Sequence, residues 1–204
     1  MYKEFGISAN IEELAEKVEN EIEPIYKKIE KISEYNSLKV LKAFQKYEIS
    51  EMHFNQTTGY GYGDIGRDTC EKVFAEVLGA EDSLVRGQFI SGTHALTVAL
   101  FAFLRPGDTM LSITGKPYDT LDEVIGIVEN KSSLKSFGVN FEQIDLKENK
   151  FDYEAIEKVL NSKKIKLIEI QRSKGYSTRK SITINELEEV IKFIRKIDKD
   201  VIIM

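Results

Sequence analysis

The residues with the clearest chemical capacity lie in Gln88-Phe89-Ile90-Ser91-Gly92-Thr93-His94-Ala95-Leu96. A short apolar segment runs into Ser91-Gly92-Thr93, and a helical pattern begins at once. The start of a helix presents unpaired N–H groups and the positive end of the helix dipole. Gly92 lets the backbone approach a ligand, and Ser91 and Thr93 add hydroxyls, so the tripeptide suits a phosphate. The same residues also read as an ordinary Ser/Thr N-cap on a core helix. Beyond Thr97 the stretch 95–104 has no polar residue, which predicts a helix buried on nearly all sides.

Three further groups carry possible chemistry. Tyr118, in Gly115-Lys116-Pro117-Tyr118-Asp119-Thr120, directly follows a predicted strand and so lies at a carboxyl edge. An aromatic there can stack on a planar ring or pack over a helix start. The stretch 171–180 follows another predicted strand and is basic and hydroxyl-rich; it suits an anionic ligand, or is a solvated loop. In 52–69, Gly59, Gly61, Gly63 and Gly66 are interleaved with Tyr60 and Tyr62. Such a loop can take unusual backbone angles and approach a neighbour closely. Gly61, Gly63 and Gly66 match the dinucleotide-binding spacing, but the residues before them do not form the apolar strand that this fingerprint requires. His53 and His94 are the only histidines and have no clustered Cys or carboxylates, so no metal site is expected. His94 fits a hydrogen bond within its own helix start, and Cys70 a small buried position.

The elements that position these residues follow from periodicity. Asn10 and Glu13 have capping-box spacing. Ile11, Leu14, Val18, Ile22, Ile25, Ile29 and Ile32 then trace one face of a helix bent by Pro24. A second helix is predicted over 37–47, and a third over 68–78, closed by Gly79. After Pro106-Gly107, strands at 109–114, 141–146, 166–171 and 201–204 alternate with helices at 119–130, 153–160 and 183–197. That alternation predicts an α/β fold, a mostly parallel sheet with helices on both faces. The organisation expected is a helical N-terminal arm, 1–51, and a larger domain, 52–204. The last strand is met at the end of the chain, just where functional residues are expected next. The 204 residues therefore read as part of something larger.

Composition narrows the class. The chain is 42% hydrophobic and 31% charged with a formal charge of −5, and it has no basic block, so no nucleic-acid partner is expected. No apolar stretch is long enough to span a bilayer, and no signal peptide is evident, so no membrane partner and a cytoplasmic location are expected. The single cysteine suits a reducing compartment.

Taken together, Ser91-Gly92-Thr93-His94-Ala95, Pro106-Gly107-Asp108 and the position of Tyr118 resemble the large domain of fold-type-I pyridoxal-phosphate (PLP) enzymes. Gly59-Tyr60-Gly61-Tyr62-Gly63-Asp64-Ile65-Gly66-Arg67-Asp68-Thr69 and Gln171-Arg172-Ser173-Lys174-Gly175-Tyr176-Ser177 more closely resemble the methionine gamma-lyase-like family, also called aluminium resistance proteins. The resemblance covers essentially the whole chain, as the N-terminal part of a longer enzyme. It implies pyridoxal 5'-phosphate as cofactor and a small sulfur amino acid as substrate. It also implies a homo-oligomer, dimer or tetramer, in the full-length form. The implied reaction is abstraction of the alpha proton followed by elimination of a sulfur leaving group.

By that resemblance Ser91, Gly92 and Thr93 hold the cofactor phosphate and Tyr118 stacks on its ring as the catalytic aromatic. Gln171 or Arg172 lies near the ring's phenolic oxygen. Related enzymes reach a neighbouring subunit's phosphate with a Tyr-x-Arg; this chain has Tyr60, Tyr62 and, further on, Arg67, and which of them serves stays open. The resemblance places the acid that pairs with the ring nitrogen, and the Schiff-base lysine, beyond Met204. A non-catalytic product that binds a phosphate-bearing ligand or a partner subunit is the alternative expectation.

Overall fold

The arm's apolar spacing at Ile11, Leu14, Val18 and Ile25 continues through Leu38, Leu41 and Phe44. In the computed structural model, which describes residues 2–60 and 63–204, all of these lie on one helix, α1 (Ala9–Lys46). Two helices were expected. The change at Asn36 and Ser37 does not break the ladder, and Asn36 Nδ2 turns back to donate to Ile32 O at 2.8 Å. Pro24 lies within the helix, which is flanked there by the i,i+4 pair Lys27–Glu23 at 2.8 Å. The N-cap is Ser8, not Asn10.

After the 3-10 turn Glu51–Phe54 comes α2 (Ile65–Leu78), which starts three residues before the expected 68. Asp64 sets that start, its side chain accepting from Arg67 N. Gly79, at φ 68, closes the helix as expected. Among the described residues no strand precedes α2, consistent with setting aside the dinucleotide reading. Gly66 is instead a close-approach position: a Cβ there would stand 2.4 Å from His53 O.

The contacts divide the chain into two compact units, Met1–Gln88 and Phe89–Met204. The second holds α3 (Gly92–Phe103), β1 (Thr109–Ser112), α4 (Asp122–Ile125), β2 (Asn140–Gln143), α5 (Tyr153–Ser162), β3 (Leu167–Glu169), α6 (Ile184–Ile197) and β4 (Ile202–Ile203). All strand pairs are parallel, in the order β2-β1-β3-β4. This is the expected α/β class, although each strand is shorter than its sequence pattern. The helix expected over 119–130 is a 3-10 turn, Asp119–Leu121, followed by the single turn α4. Gly126, at φ 97, stops it, and its backbone lies too close to Ser133 and Lys135 for any side chain.

Strand residues alternate between the two faces of the sheet. Leu111, Ile113 and Ile168 pack with Ile156, Val190 and Ile194 under α5 and α6, whereas Met110 and Leu167 pack with Leu100, Leu121 and Ile125 under α3 and α4. The capping box expected at Thr183 and Glu186 starts α6. Leu96, Leu100, Phe101 and the C-cap Leu104 of α3 are packed, whereas Val98 and Phe103 are exposed, so this helix is not buried all round as its composition predicts.

Leu111 is fully buried at the centre of the sheet. Leu111→Ala is expected to destabilise the chain by about 2–5 kcal/mol, read by urea unfolding. A loss under about 1 kcal/mol would mean that this layer is not the core.

Candidate functional site

Because the sheet is parallel, the segments leaving β1 and β3 emerge at the same edge. From β1 the chain passes through Thr114 and Gly115 to Tyr118; from β3 it passes through Ile170 to Gln171. The two segments are tied by side chains. Gln171 N donates to Thr114 Oγ1 at 3.0 Å, and Tyr118 N donates to Gln171 Oε1 at 2.8 Å. The Tyr118 hydroxyl meets Ser173 Oγ. Gly175 lies against the tyrosine ring: a Cβ there would stand 3.2 Å from Tyr118 Cε1, at a φ of 54. Tyr118 is half-buried, with its ring held by the 171–180 loop on one side.

That loop is basic, but its arginines are engaged with backbone carbonyls. Arg179 donates to Gln171 O at 3.0 Å and to Ser173 O at 2.7 Å, and Arg172 Nε donates to Ile182 O at 2.9 Å. Of the two residues expected near the ring's phenolic oxygen, Gln171 stands at Tyr118, and the Arg172 Nε is committed to the Ile182 carbonyl.

The start of α3 has the expected geometry. Ser91 is the N-cap and its hydroxyl accepts from His94 N at 3.1 Å, so that oxygen is engaged by the helix itself. Gly92 and Thr93 occupy the first two helical positions, whose N–H groups have no intrahelical partner. Nothing lies within 4 Å of a Cβ position on Gly92. His94 Nδ1 accepts from Ile90 N at 3.3 Å, so the ring braces the turn into the helix. α3 and the turn Asp119–Leu121 that follows Tyr118 share one apolar cluster through Leu96, Leu100 and Leu121.

Tyr60 and Arg67 belong to the other unit. Tyr60 is 94% exposed. Arg67 donates through Nε to Asp68 at 3.1 Å and through a terminal nitrogen to Gly59 O at 3.4 Å. Tyr62 lies outside the described residues. Among the described residues no group of His, Cys, Asp and Glu could hold a metal ion, and no helix is long and apolar enough to cross a membrane.

The model of the family described as methionine gamma-lyase matches residues 11–204. The chain belongs to the methionine gamma-lyase family. A Bacillus subtilis relative, YnbB, is 50% identical over 196 residues, which are 95% of this chain and 46% of that one. A solved structure from Clostridium acetobutylicum, of a protein named for involvement in aluminium resistance, superposes with a TM-score of 0.94 at 46% identity, over 99% of this chain and 49% of that one. A carbon–sulfur lyase involved in aluminium resistance from Clostridium novyi superposes with a TM-score of 0.92 at 48% identity, again over 99% of this chain and 49% of that one. The fold is that of the large domain of fold-type-I PLP enzymes. The chain spans about half the length of the relatives it matches.

One buried group was missed in the sequence. Glu169, only 6% exposed, sits at the end of β3, where its strand partner on β1 is Ser112. Ser112 Oγ lies 2.7 Å from Glu169 Oε2. Burial pushes the Glu169 carboxyl above the usual carboxylate range. The signal that could have found it is a polar residue at matching depth in two adjoining apolar strands, Met110-Leu111-Ser112-Ile113 and Leu167-Ile168-Glu169-Ile170.

A folded pKa above the unfolded one means that the stability from neutral Glu169 is complete below the ordinary carboxylate range. It is lost as pH rises through the folded pKa. Glu169→Gln removes that loss. Melting curves of both proteins between about pH 4 and pH 8 should show the variant gaining on the wild type as pH rises. A difference that stays flat with pH would show that Glu169 ionises normally.

Proposed function

We propose that this chain supplies the phosphate seat and ring platform of a PLP-dependent carbon–sulfur lyase acting on sulfur amino acids. One juxtaposition carries the reading. The open N–H groups of Gly92 and Thr93 head a helix that shares its apolar cluster with the turn after Tyr118, and Tyr118 is itself tied to Gln171 across the strand ends. This donor set fits a phosphomonoester joined to a planar ring: two N–H groups and a helix dipole for the anion, an aromatic face for the ring.

When bound, PLP supplies an electron sink for the pair left at the alpha carbon after its proton is removed. The chain's own residues bind and orient. Gly92 and Thr93 donate to the phosphate, and Ser91 and His94 keep that turn in shape. Tyr118 covers one ring face. Gln171 fixes the Tyr118 backbone through Oε1, while its Nε2 donates to Ser173 O at 3.1 Å.

The lysines near this edge do not suit covalent attachment of the cofactor. Lys116 is paired with Asp122 at 2.6 Å, and Lys174 and Lys180 are exposed. An amine that attacks an aldehyde must be partly deprotonated, which takes a desolvated or charge-tuned pocket. Borohydride reduction of the chain mixed with PLP should therefore label lysines diffusely; one lysine modified to near one equivalent would contradict this part.

Two measurements test the reading itself. Gly92→Pro deletes one phosphate-facing N–H at a helix position that accepts proline, and Ser91 already has the extended backbone, φ −162 and ψ 165, that a following proline prefers. PLP binding should weaken about tenfold or more with the fold retained, as for a lost bond to a charged group. A chain extended to the length of its relatives should release a 2-oxo acid from methionine, cystathionine or cysteine. No turnover of any sulfur amino acid by that protein would defeat the lyase assignment.

The same reading gives the first unit a second copy as partner, with Tyr60, Tyr62 or Arg67 serving the neighbour's cofactor. Ile11, Leu14, Val18, Ile25, Ile29 and Ile32 are all exposed along α1. Val18→Glu with Ile25→Glu should lower the mass measured by light scattering without unfolding the protein. An unchanged mass would count against the partner.

A further inference from the structure

Ser112 and Glu169 have the strand parity of Met110 and Leu167, so both point to the face of the sheet covered by α3. Ser112 is fully buried and Glu169 nearly so. Ser112 Oγ has two close partners, Gly115 O at 2.7 Å and Glu169 Oε2 at 2.7 Å. A hydroxyl has one hydrogen, and a carbonyl oxygen only accepts. Both contacts are full two-centre hydrogen bonds at once only when Ser112 donates to Gly115 O and the Glu169 carboxyl donates to Ser112; otherwise two acceptors share one hydrogen. An ionised Glu169 would draw the Ser112 hydrogen to itself and leave the buried Gly115 carbonyl with at most a share of it. Such an under-bonded acceptor is costly.

We propose that Glu169 is a neutral acid at the head of a relay, Glu169 to Ser112 to the Gly115 carbonyl, and that this relay positions Tyr118. The proposal rests on the functional reading above, in which Tyr118 is the ring platform. Gly115 is where the chain turns from β1 towards the site. Its φ is 83, its N–H donates to Ile144 O at 2.9 Å, and a Cβ on it would stand 3.0 Å from Asp145 Oδ1. With the carbonyl held by Ser112, both polar groups of Gly115 are fixed. Buried Pro117 then limits the path to Tyr118, whose N–H is fixed by Gln171. The turn is thus anchored from beneath by the relay and from the side by Gln171. Without the relay the Gly115 carbonyl is released, and only the Gly115 N–H to Ile144 O bond and the Gln171 contact hold the turn. Glu169 touches no ligand in this scheme; it is a positioning residue.

The test compares the wild-type chain with Glu169→Gln, which stays neutral and keeps a donor, and with Glu169→Ala and Ser112→Ala, which break the relay. The infrared spectrum at neutral pH should contain the C=O stretch of a protonated carboxylic acid, absent from Glu169→Gln. Amide hydrogen exchange at Gly115, Lys116 and Tyr118 should quicken in both alanine variants and not in the glutamine variant. PLP affinity should fall about tenfold in the alanine variants and stay near wild type in Glu169→Gln, as for one hydrogen bond lost behind the ring. Affinity for inorganic phosphate, which needs only the α3 start, should be the same in all four. Absence of the acid band, or alanine variants that exchange as slowly as wild type, overturns the relay. So does a glutamine variant that behaves like the alanine ones. If the wild-type chain binds no PLP, the functional reading fails, while the band and the exchange rates still decide the relay.

Discussion

Parallel pairing of β1 with β3 is the constraint on which the rest of the second unit depends. It places the ends of two strands, distant in sequence, at one edge and in register, Ser112 beside Glu169. Everything assigned to the site on that edge follows from the register. Gln171 reaches Tyr118 only because both lie a few residues beyond the paired ends, and a slip of one residue would turn these side chains to the other face. The pairing is secured by apolar burial on both faces, α5 and α6 on one and α3 and α4 on the other. Such burial is why the strands read as continuous apolar runs.

Two polar residues interrupt those runs, and they do so side by side. A buried carboxyl with no cationic partner is costly in its charged form, whereas a neutral acid donating to a hydroxyl is a satisfied group. Placing this pair at the strand ends, and not mid-strand, puts its effect on the turn that leads to Tyr118. The loop 171–180 follows a similar logic. Its positive charge looks available in the sequence, yet the contacts of Arg172 and Arg179 fall on backbone carbonyls and shape the loop.

Much of this was legible in advance. The βα alternation, the Ser91 cap, the Thr183–Glu186 capping box and the Tyr118 edge position rest on local patterns, and local patterns survive into the fold. What was not legible depended on tertiary context. α1 runs on past Asn36, whose side chain bonds back to the helix, and composition does not reveal that continuity. α4 stops after one turn because Gly126 is pressed against Ser133 and Lys135, neighbours that only the fold brings close. The exposure of Val98 and Phe103 on α3 likewise depends on which elements cover the helix. Glu169 was hidden because a lone acid in an apolar strand has no meaning until its neighbour across the ladder is known.

The start of α3 and the Tyr118 turn are thus proposed to form one seat for a phosphate-bearing ring. The most direct measurement is a titration of the isotope-labelled chain with PLP, followed by amide and aromatic NMR. Saturable shifts are expected at the amides of Gly92 and Thr93 and at the ring of Tyr118, with inorganic phosphate reproducing the first set and not the second. Shifts confined to scattered surface lysines, with Gly92, Thr93 and Tyr118 unmoved, would contradict it.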